Sequence, residues 1–255
     1  MPITKSALLI SNPGETGAEN YCKGVYADIK NYQRILTSAE GGAWEDGEIK
    51  HLDRPTAKNV RDWITIFSVY DYVLVMFTGH GWYSAPDRDR ILELKKGEEL
   101  ASNDLLVGTK KRTVILDCCQ KVHQESLMEK LARQINFANA SVGRTADRAA
   151  CRTLFSNGVQ AAPEGIIRLT SCAIGEVSTD DDTRGGRYNG SLIECFEDWT
   201  LAQANDRYVV GGSTFSVVAA HECAAVKTRK LSAGKQNPNI EKSKSSPYFP
   251  FAVFA

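Results

Sequence analysis

Short apolar runs alternate along this chain with stretches of helical spacing. Runs of β-branched and aromatic residues too short for buried helices predict buried strands; they lie at residues 6–10, 48–52, 72–77, 91–94, 113–116, 165–171 and 248–254. Apolar positions three or four residues apart predict helices; they lie at residues 24–36, 56–67, 126–135, 191–204 and 214–226, with a shorter one at 101–106. Strands that alternate with helices indicate an α/β layered fold.

One long stretch, residues 136–163, interrupts this alternation. It has weak periodicity and many small or basic residues. A stretch of this length inside a compact domain is usually functional or disordered. We therefore predict a single domain in which a flexible linker over 136–163 joins residues 1–135 to residues 164–255. Residues 227–246 are also polar and predict a loop.

Two polar motifs follow neighbouring predicted strands, Thr78-Gly79-His80-Gly81 and Leu116-Asp117-Cys118-Cys119-Gln120. The first predicts a histidine on a glycine-flanked turn, and the second predicts a cysteine just past the next strand. Open α/β sheets place their active sites beyond the carboxyl ends of the strands. A thiol beside an imidazole is the minimal equipment of a cysteine nucleophile, so these motifs predict a catalytic site at one sheet edge.

Composition and charge exclude several classes of function. Lys+Arg and Asp+Glu balance at 31 each, which predicts no binding to nucleic acid or to an anionic membrane. No apolar run is long enough to span a bilayer, and the N-terminus has no signal-like core, so we expect a soluble cytoplasmic protein. The 7 scattered cysteines predict reduced thiols rather than a disulfide framework, and without a CxxC pair no zinc site is expected.

The motifs resemble those of the caspase-like cysteine peptidases, nearest to the bacterial metacaspase-like branch. Phe77-Thr78-Gly79-His80-Gly81 is similar to the block that carries the family's catalytic histidine, and Leu116-Asp117-Cys118-Cys119 is similar to its Asp-small-Cys block. Further similar blocks follow in family order at residues 169–173 with Glu176, 186–192, 236–238 and 249–251. The resemblance therefore runs from residue 6 to residue 254.

This resemblance implies a fold and an activity. The fold would be a caspase-like three-layer sandwich, a mostly parallel central sheet with helices on both faces. Residues 1–135 would correspond to the family's large subunit and residues 164–255 to its small subunit. The activity would be that of a cysteine endopeptidase. Two departures stand out: Gln120-Lys121 replaces the usual His-Ser-Gly, and the caspase sequence Gln-Ala-Cys-x-Gly is absent, which argues against aspartate specificity.

The resemblance makes Cys119, rather than the adjacent Cys118, the nucleophile. His80 would hold the thiol proton and pass it to the leaving amine. The backbone N–H groups of Cys119 and Gly81 would stabilise the oxyanion. Taken alone, a Gly-His-Gly is more often a simple turn and a cysteine after a strand an inert core thiol. Adjacent residues diverge at a strand end, which would send Cys118 into the core.

Acidic residues are expected to set the substrate specificity. By resemblance to metacaspases, Asp28 and Asp117 would line the pocket for the residue before the scissile bond, where two carboxylates favour Arg or Lys. Asp28 is equally consistent with an exposed helix position. Glu176 is a third candidate, although the family's acid in that loop is not matched position for position.

The predicted linker carries Arg144, Arg148 and Arg152, which are candidate sites of self-processing because chain cuts concentrate in flexible segments. An ordinary solvated loop is the alternative interpretation. We expect no cofactor; calcium enters only because some metacaspases depend on it. Asp180-Asp181-Asp182 and the pair Asp87 and Asp89 are the acidic candidates, and neither matches an EF-hand loop.

These expectations combine into a hypothesis of function. The chain would be a regulated protease of a bacterial defence or programmed-death cascade, acting on protein substrates. A separate protein would serve as its activator. Two alternatives remain open: a catalytically silent caspase-like scaffold, and a small-molecule amidase or thioesterase on a doubly wound fold.

Overall fold

A computed structural model describes residues 3–119, 144–181, 185–206 and 211–255. The strands are β1 Lys5–Asn12, β2 Ile49–Asp53, β3 Tyr72–Ser84, β4 Asp89–Lys95, β5 Glu98–Ala101, β6 Lys111–Cys119, β7 Gly165–Thr170, β8 Asp180–Asp181, β9 Gly185–Gly186, β10 Ser213–Ser216, β11 Asn239–Glu241 and β12 Pro250–Phe254. The helices are α1 Gly24–Thr37, α2 Ala57–Ile66, α3 Arg148–Ala161, α4 Arg187–Asn205 and α5 Val217–Leu231.

A mostly parallel sheet forms the centre of the molecule. Its strands run in the order β11-β7-β6-β3-β1-β2. The pairs β1–β2, β1–β3, β3–β6 and β6–β7 are parallel, and β11 lies antiparallel at the edge beside β7. The far end of β3 leaves this sheet and pairs with β4, which continues into β5.

The sheet separates two hydrophobic cores because its side chains alternate between its faces. On β1, Ala7 and Leu9 face a core covered by α1, α3, α4 and α5. Leu8 and Ile10 face a second core that contains α2 and the β4–β5 hairpin. Layers on both faces of a mostly parallel sheet confirm the predicted α/β sandwich.

The helix predictions agree with the structure over α1, α2 and α4. The prediction of a helix from residue 214 is wrong at its start, because residues 213–216 form β10 against β12. Ser216 then caps α5 by accepting the backbone N–H of Ala219, and the helix continues to Leu231. The loop predicted over 227–246 is therefore wrong at 227–231, and also at β11.

The flexible linker predicted over 136–163 is wrong from residue 148 to residue 161, which form α3. Asp147 caps this helix by accepting the backbone N–H of Ala150. The apolar side chains of Cys151, Phe155 and Val159 recur every four residues and are buried against the sheet. Residues 136–143, and the helix predicted at 126–135, lie outside the described residues.

The turn predicted around His80 is also wrong. Strand β3 runs through Gly79, His80 and Gly81 to Ser84, with residues 72–80 paired to β1 or β6 and Gly81–Ser84 paired to β4. Pairing with β4 supplies the partner that keeps this glycine-rich segment extended. His80 therefore lies within a strand that two sheets share.

Helices α4 and α5 are joined by a disulfide between Cys195 and Cys223. The expectation that the thiols are reduced is therefore wrong for this pair. Cys22, Cys118, Cys151 and Cys172 are buried and take part in no disulfide among the described residues. In the part of the chain that the structure describes, no helix is long and apolar enough to cross a membrane.

Candidate active site

The parallel register of β3 and β6 brings the two candidate catalytic residues together. His80 is the Cα partner of Cys119, which is the last residue of β6. Neighbouring strands lie about 4.8 Å apart, so the two backbones meet at one position of the sheet edge. The parallel strands thus place an imidazole-bearing and a thiol-bearing residue side by side, as the sequence predicts. Gln120 and Lys121, the departures from the family pattern, lie outside the described residues.

The loop between β1 and α1 covers His80. The imidazole is 8% exposed, and its Nε2 atom is buried without a well-aligned hydrogen-bond partner among the described residues. Gly14 lies against this atom, since a Cβ at residue 14 would stand 2.8 Å from Nε2. The carbonyl of Pro13 and the thiol of Cys22 lie beside the ring. Sequence reasoning missed this loop, whose polar residues and glycines read as an ordinary connection.

The surroundings of His80 favour its protonated form. The pKa of the imidazole is raised, chiefly by its hydrogen bond with Cys22. Burial acts in the opposite direction, while the charge of Glu93 and the carbonyl of Pro13 also raise the pKa. A histidine that holds a proton more firmly is suited to stabilise a neighbouring thiolate and to act later as an acid.

Glycine is required on both sides of His80 because other chains approach closely there. A Cβ at Gly79 would collide with the carbonyl oxygen of Asn12 on β1. A Cβ at Gly81 would lie 2.7 Å from the carbonyl oxygen of Ile91 and 3.3 Å from the sulfur of Cys118. The two glycines therefore let β3 fit between its neighbours and fix where His80 lies.

Cys118 belongs to the core. Its side chain is 2% exposed and packs in the cluster beneath α2 and the β4–β5 hairpin. Burial raises the pKa of its thiol strongly, so it stays protonated and inert at neutral pH. The predicted inward orientation of Cys118 agrees with this placement.

The two aspartates proposed for specificity are both buried, each 1% exposed. Asp28, on α1, accepts a hydrogen bond of 2.6 Å from the Thr78 hydroxyl and one of 2.9 Å from Nδ2 of Asn189. The backbone N–H of Gly186 also donates to its carboxylate, at 3.1 Å to Oδ1. Asp28 is therefore not an exposed helix residue, and that alternative is wrong.

Asp117 lies on β6 opposite Thr78 and is held in the same way. Its carboxylate accepts hydrogen bonds from the Ser178 hydroxyl at 2.8 Å and from the backbone N–H of Asn189 at 3.1 Å. Burial raises the pKa of Asp117, and the hydrogen bonds from Ser178 and Asn189 lower it in part. A raised pKa is the behaviour of a buried carboxyl group that lacks a compensating cation.

Asn189 links the two carboxylates. Its backbone N–H donates to Asp117, its side chain donates to Asp28, and its Oδ1 accepts the hydroxyl of Tyr32 at 3.2 Å. The residue is fully buried at the start of α4. Sequence reasoning placed Asn189 in a family block but assigned it no role, because only coordinates show that its backbone and side chain together bridge β6 and α1.

Two glycines of β9 cover this acidic pair. A Cβ at Gly185 would collide with Oδ1 of Asp28, and one at Gly186 would collide with Oδ2 of Asp117. Gly185 also has a φ of +89°, which disfavours other residues. The backbone of β9 therefore lies directly on both carboxylates in this structure.

Glu176 has a different set of contacts. Its carboxylate accepts hydrogen bonds from the backbone N–H of Ala173 and from both the backbone and the side chain of Asn237. These bonds, which lower its pKa against the effect of burial, tie the loop after β7 to the chain before β11. The described contacts thus give Glu176 a structural task, and its predicted place in the pocket stays a prediction.

The arginines of the predicted linker have different settings. Arg148 and Arg152 lie in α3, where Arg148 donates to the Trp44 carbonyl and Arg152 pairs with Glu48 at 2.6 Å. A flexible setting was the reason for proposing cleavage there, and it does not hold for these two residues. Arg144 precedes the helix and is exposed, with its guanidinium 5.7 Å from the ring of Phe254. It stays a predicted processing site.

Two of the acidic residues considered for calcium, Asp87 and Asp89, accept hydrogen bonds within the chain. Asp89 is buried and accepts hydrogen bonds from the Ser102 hydroxyl and the Asn103 backbone, and Asp87 accepts one from Ser84. Within the described ranges, no group of three or more His, Cys, Asp or Glu residues is placed to hold a metal ion. Asp182 lies outside those ranges.

The fold and the register of His80 with Cys119 are those expected of a cysteine hydrolase built on a mostly parallel α/β sheet. Comparison with protein-family models narrows this class. The model of the caspase domain, peptidase family C14, matches residues 4–249. The chain therefore belongs to the caspase-domain family of cysteine peptidases.

A solved structure shows the same fold. The crystal structure of caspase-1 from Spodoptera frugiperda matches with a TM-score of 0.54 and 13% sequence identity, covering 94% of this chain and 86% of that one. At this identity the likeness shows the shared fold alone. No curated protein matches the chain.

Proposed function

We propose that this chain is an endopeptidase that cleaves proteins after Arg or Lys. The observation that carries the proposal is the buried acidic pair, in which Asn189 joins Asp28 to Asp117 beside the strand that bears His80. The donors described above for Asp117, the Ser178 hydroxyl and the Asn189 backbone, are neutral groups. A guanidinium or ammonium group of the substrate would bring a positive charge to this carboxylate, and an arginine would do so through two parallel hydrogen bonds.

The proposed reaction uses Cys119 and His80. The Cys119 thiolate attacks the carbonyl carbon before the scissile bond, and His80 holds the proton that the thiol has lost. As the C–N bond breaks, His80 gives this proton to the leaving amine. Water then hydrolyses the thioester and restores the thiol. The backbone N–H groups of Cys119 and Gly81 are the proposed oxyanion donors, as the family resemblance implies.

Substrate binding in this proposal requires a movement of β9. Because Gly185 and Gly186 lie on the two carboxylates, a basic side chain reaches Asp28 and Asp117 only after this backbone is displaced. The N–H of Gly186, which donates to Asp28 in the closed form, would be replaced by a donor of the substrate.

The finer assignments rest on resemblance. They are a metacaspase-type enzyme of bacterial kind, a cytoplasmic location, a role in antiviral defence or a cell-death cascade, and activation by a separate protein. Activity without a cofactor, and self-processing at Arg144, belong to the same proposal. Reducing compartments such as the cytoplasm disfavour disulfides. The disulfide between Cys195 and Cys223 therefore makes the cytoplasmic location the first of these assignments to test.

The specificity is tested with fluorogenic peptides that differ only in the residue before the scissile bond. We expect cleavage after Arg and Lys, and none after Asp. In the enzyme–substrate complex, replacing Asp117 or Asp28 with Asn removes one of the carboxylates that would pair with the buried basic side chain of the substrate. This should lower kcat/KM for the Arg peptide by about 30- to 5,000-fold, as expected for a loss of about 2–5 kcal/mol. Asp104→Asn, an acid paired with Arg61 near the surface, is the matched control. Preferred cleavage after Asp would contradict the pocket assignment.

The catalytic pair is tested with an arginyl chloromethyl ketone. The reagent should alkylate Cys119 in the wild type and in Cys118→Ala, but not in His80→Ala or Cys119→Ala. Peptide mapping by mass spectrometry identifies the labelled residue. A folded wild type that neither reacts nor cleaves any peptide would support the silent scaffold instead.

A further inference from the structure

A second thiol lies beside His80. Cys22, in the loop between β1 and α1, is 1% exposed. Its backbone N–H donates to the Pro13 carbonyl at 2.8 Å, and its Sγ lies 3.7 Å from the Asn20 carbonyl oxygen. These contacts fold the loop back over the end of β1 and hold the thiol at the imidazole.

The loop that carries this thiol starts at the end of β1, next to β3. The backbone of Cys119 lies beside His80 on β6, and Cys22 is held at the Pro13 carbonyl, just past the end of β1. The Nε2 atom is buried and has no well-aligned partner among the described residues, and Gly14 closes the space over it. An imidazole that accepts a second proton there needs an acceptor, because a buried N–H without one is costly. The Cys22 sulfur and the Pro13 carbonyl are the acceptors beside the ring, and Cys22 has the larger effect on the pKa of His80.

We propose that Cys22 is a positioning residue for His80: its sulfur accepts the N–H of the imidazolium and holds the ring toward Cys119. The inference rests on the proposed function and adds a third side chain to its machinery. Cys22 forms and breaks no covalent bond in this role. The proton moves from Cys119 to His80 and then to the leaving amine, while Cys22 keeps its own proton.

The charges around His80 are consistent with this role. The hydrogen bond with Cys22 is the main cause that raises the pKa of His80. Glu93, from β4, and the Pro13 carbonyl act in the same direction, and burial opposes them. Cys119, another titratable group, lies on β6 in register with the histidine. Without Cys22, the lowering effect of burial on the pKa of His80 is opposed less, so the imidazolium is less stable.

The test uses Cys22→Ala and Cys22→Ser, with Cys151→Ala as the matched control. Cys151 is likewise a buried thiol outside the disulfide, but it lies on α3 in the core. The first readout is the NMR titration of His80 in the full chain without substrate. The second is kcat and KM for the Arg peptide across pH. Thermal unfolding of each variant checks that it is folded.

We expect the His80 titration to move to lower pH in Cys22→Ala and to return most of the way in Cys22→Ser, which keeps a hydrogen-bonding group. We expect kcat to fall by about 10- to 100-fold in Cys22→Ala with KM little changed, as for a misplaced catalytic group. Cys151→Ala should change neither readout.

Two results would overturn the inference, and they differ from a failure of the proposed function. An unmoved His80 titration in folded Cys22→Ala means that the thiol does not hold the ring. Equal losses of kcat in Cys22→Ala and Cys151→Ala mean a general packing effect. A wild type that cleaves no peptide overturns the proposed function itself, and the positioning role is then overturned together with it.

Discussion

Replacing Asp117 with Asn should change how the stability of the protein depends on pH. The Asp117 carboxyl is 1% exposed, and burial raises its pKa above the ordinary 3.8. A raised native pKa means that the folded state binds more protons than the unfolded state. The stabilising contribution of this group is therefore complete below pH 3.8 and is lost as the pH rises through the native pKa.

The size of the effect follows from proton linkage. One group changes the free energy of unfolding by at most about 1.4 kcal/mol per pH unit, and only between its unfolded and native pKa values. The free energy of unfolding of the wild type should fall with rising pH in that window, and that of Asp117→Asn should not show this fall. The free energy of unfolding of the variant minus that of the wild type should therefore rise with pH and become constant above the native pKa. Ser178→Ala removes a hydrogen bond that lowers this pKa, so it should extend the wild-type loss to higher pH.

Urea denaturation at half-unit steps from pH 4 to pH 8 measures both effects, because contributions from other groups cancel in the difference. A difference that stays flat would mean that Asp117 has an ordinary pKa in the folded protein. A difference that falls with pH would mean that hydrogen bonds or a cation hold the pKa of Asp117 below its ordinary value. Either result would refute the description of Asp117 as a carboxyl whose pKa is raised by burial.

Three further predictions concern stability and the position of His80. Burial lowers the pKa of Lys5 to about 7, so the wild type should gain stability relative to Lys5→Met between pH 7 and 10.5, as measured by urea denaturation. The disulfide spans 28 residues, so the double change Cys195→Ala and Cys223→Ala should cost about 3–4 kcal/mol; reductant should cost the wild type a similar amount and leave the double variant unchanged. Gly79→Ala should lose peptide cleavage and about 1–3 kcal/mol of stability because its Cβ meets the β1 backbone, whereas Gly97→Ala, with no atom near its Cβ, should keep its activity.

The central sheet was predictable because its strands are short, apolar and separated by helical stretches. The same pattern placed His80 and Cys119 at one edge, since parallel strands end together. It did not predict that β3 continues through His80, because Gly79 and Gly81 are poor strand formers. Their extended backbone depends on pairing with β4, which is a tertiary contact.

Helix α3 was missed because small residues dilute its periodicity, with only Cys151, Phe155 and Val159 marking the buried face. The meeting of Asp28 with Asp117 followed from family resemblance, since nothing in their spacing brings a helix residue to a strand end. The link through Asn189 and the approach of Cys22 to His80 depend on where loops fold back, which local sequence does not specify.

The membership of β3 in two sheets has a consequence for how the site opens. The backbone of His80 lies between Gly79, paired toward β1 and β6, and Gly81, paired to β4. Its amide hydrogen should therefore exchange with solvent only through the large openings that also expose the core strands, not through local fraying. A signal that turns this protein on or off would then leave the histidine backbone in place and act on the loops that surround it.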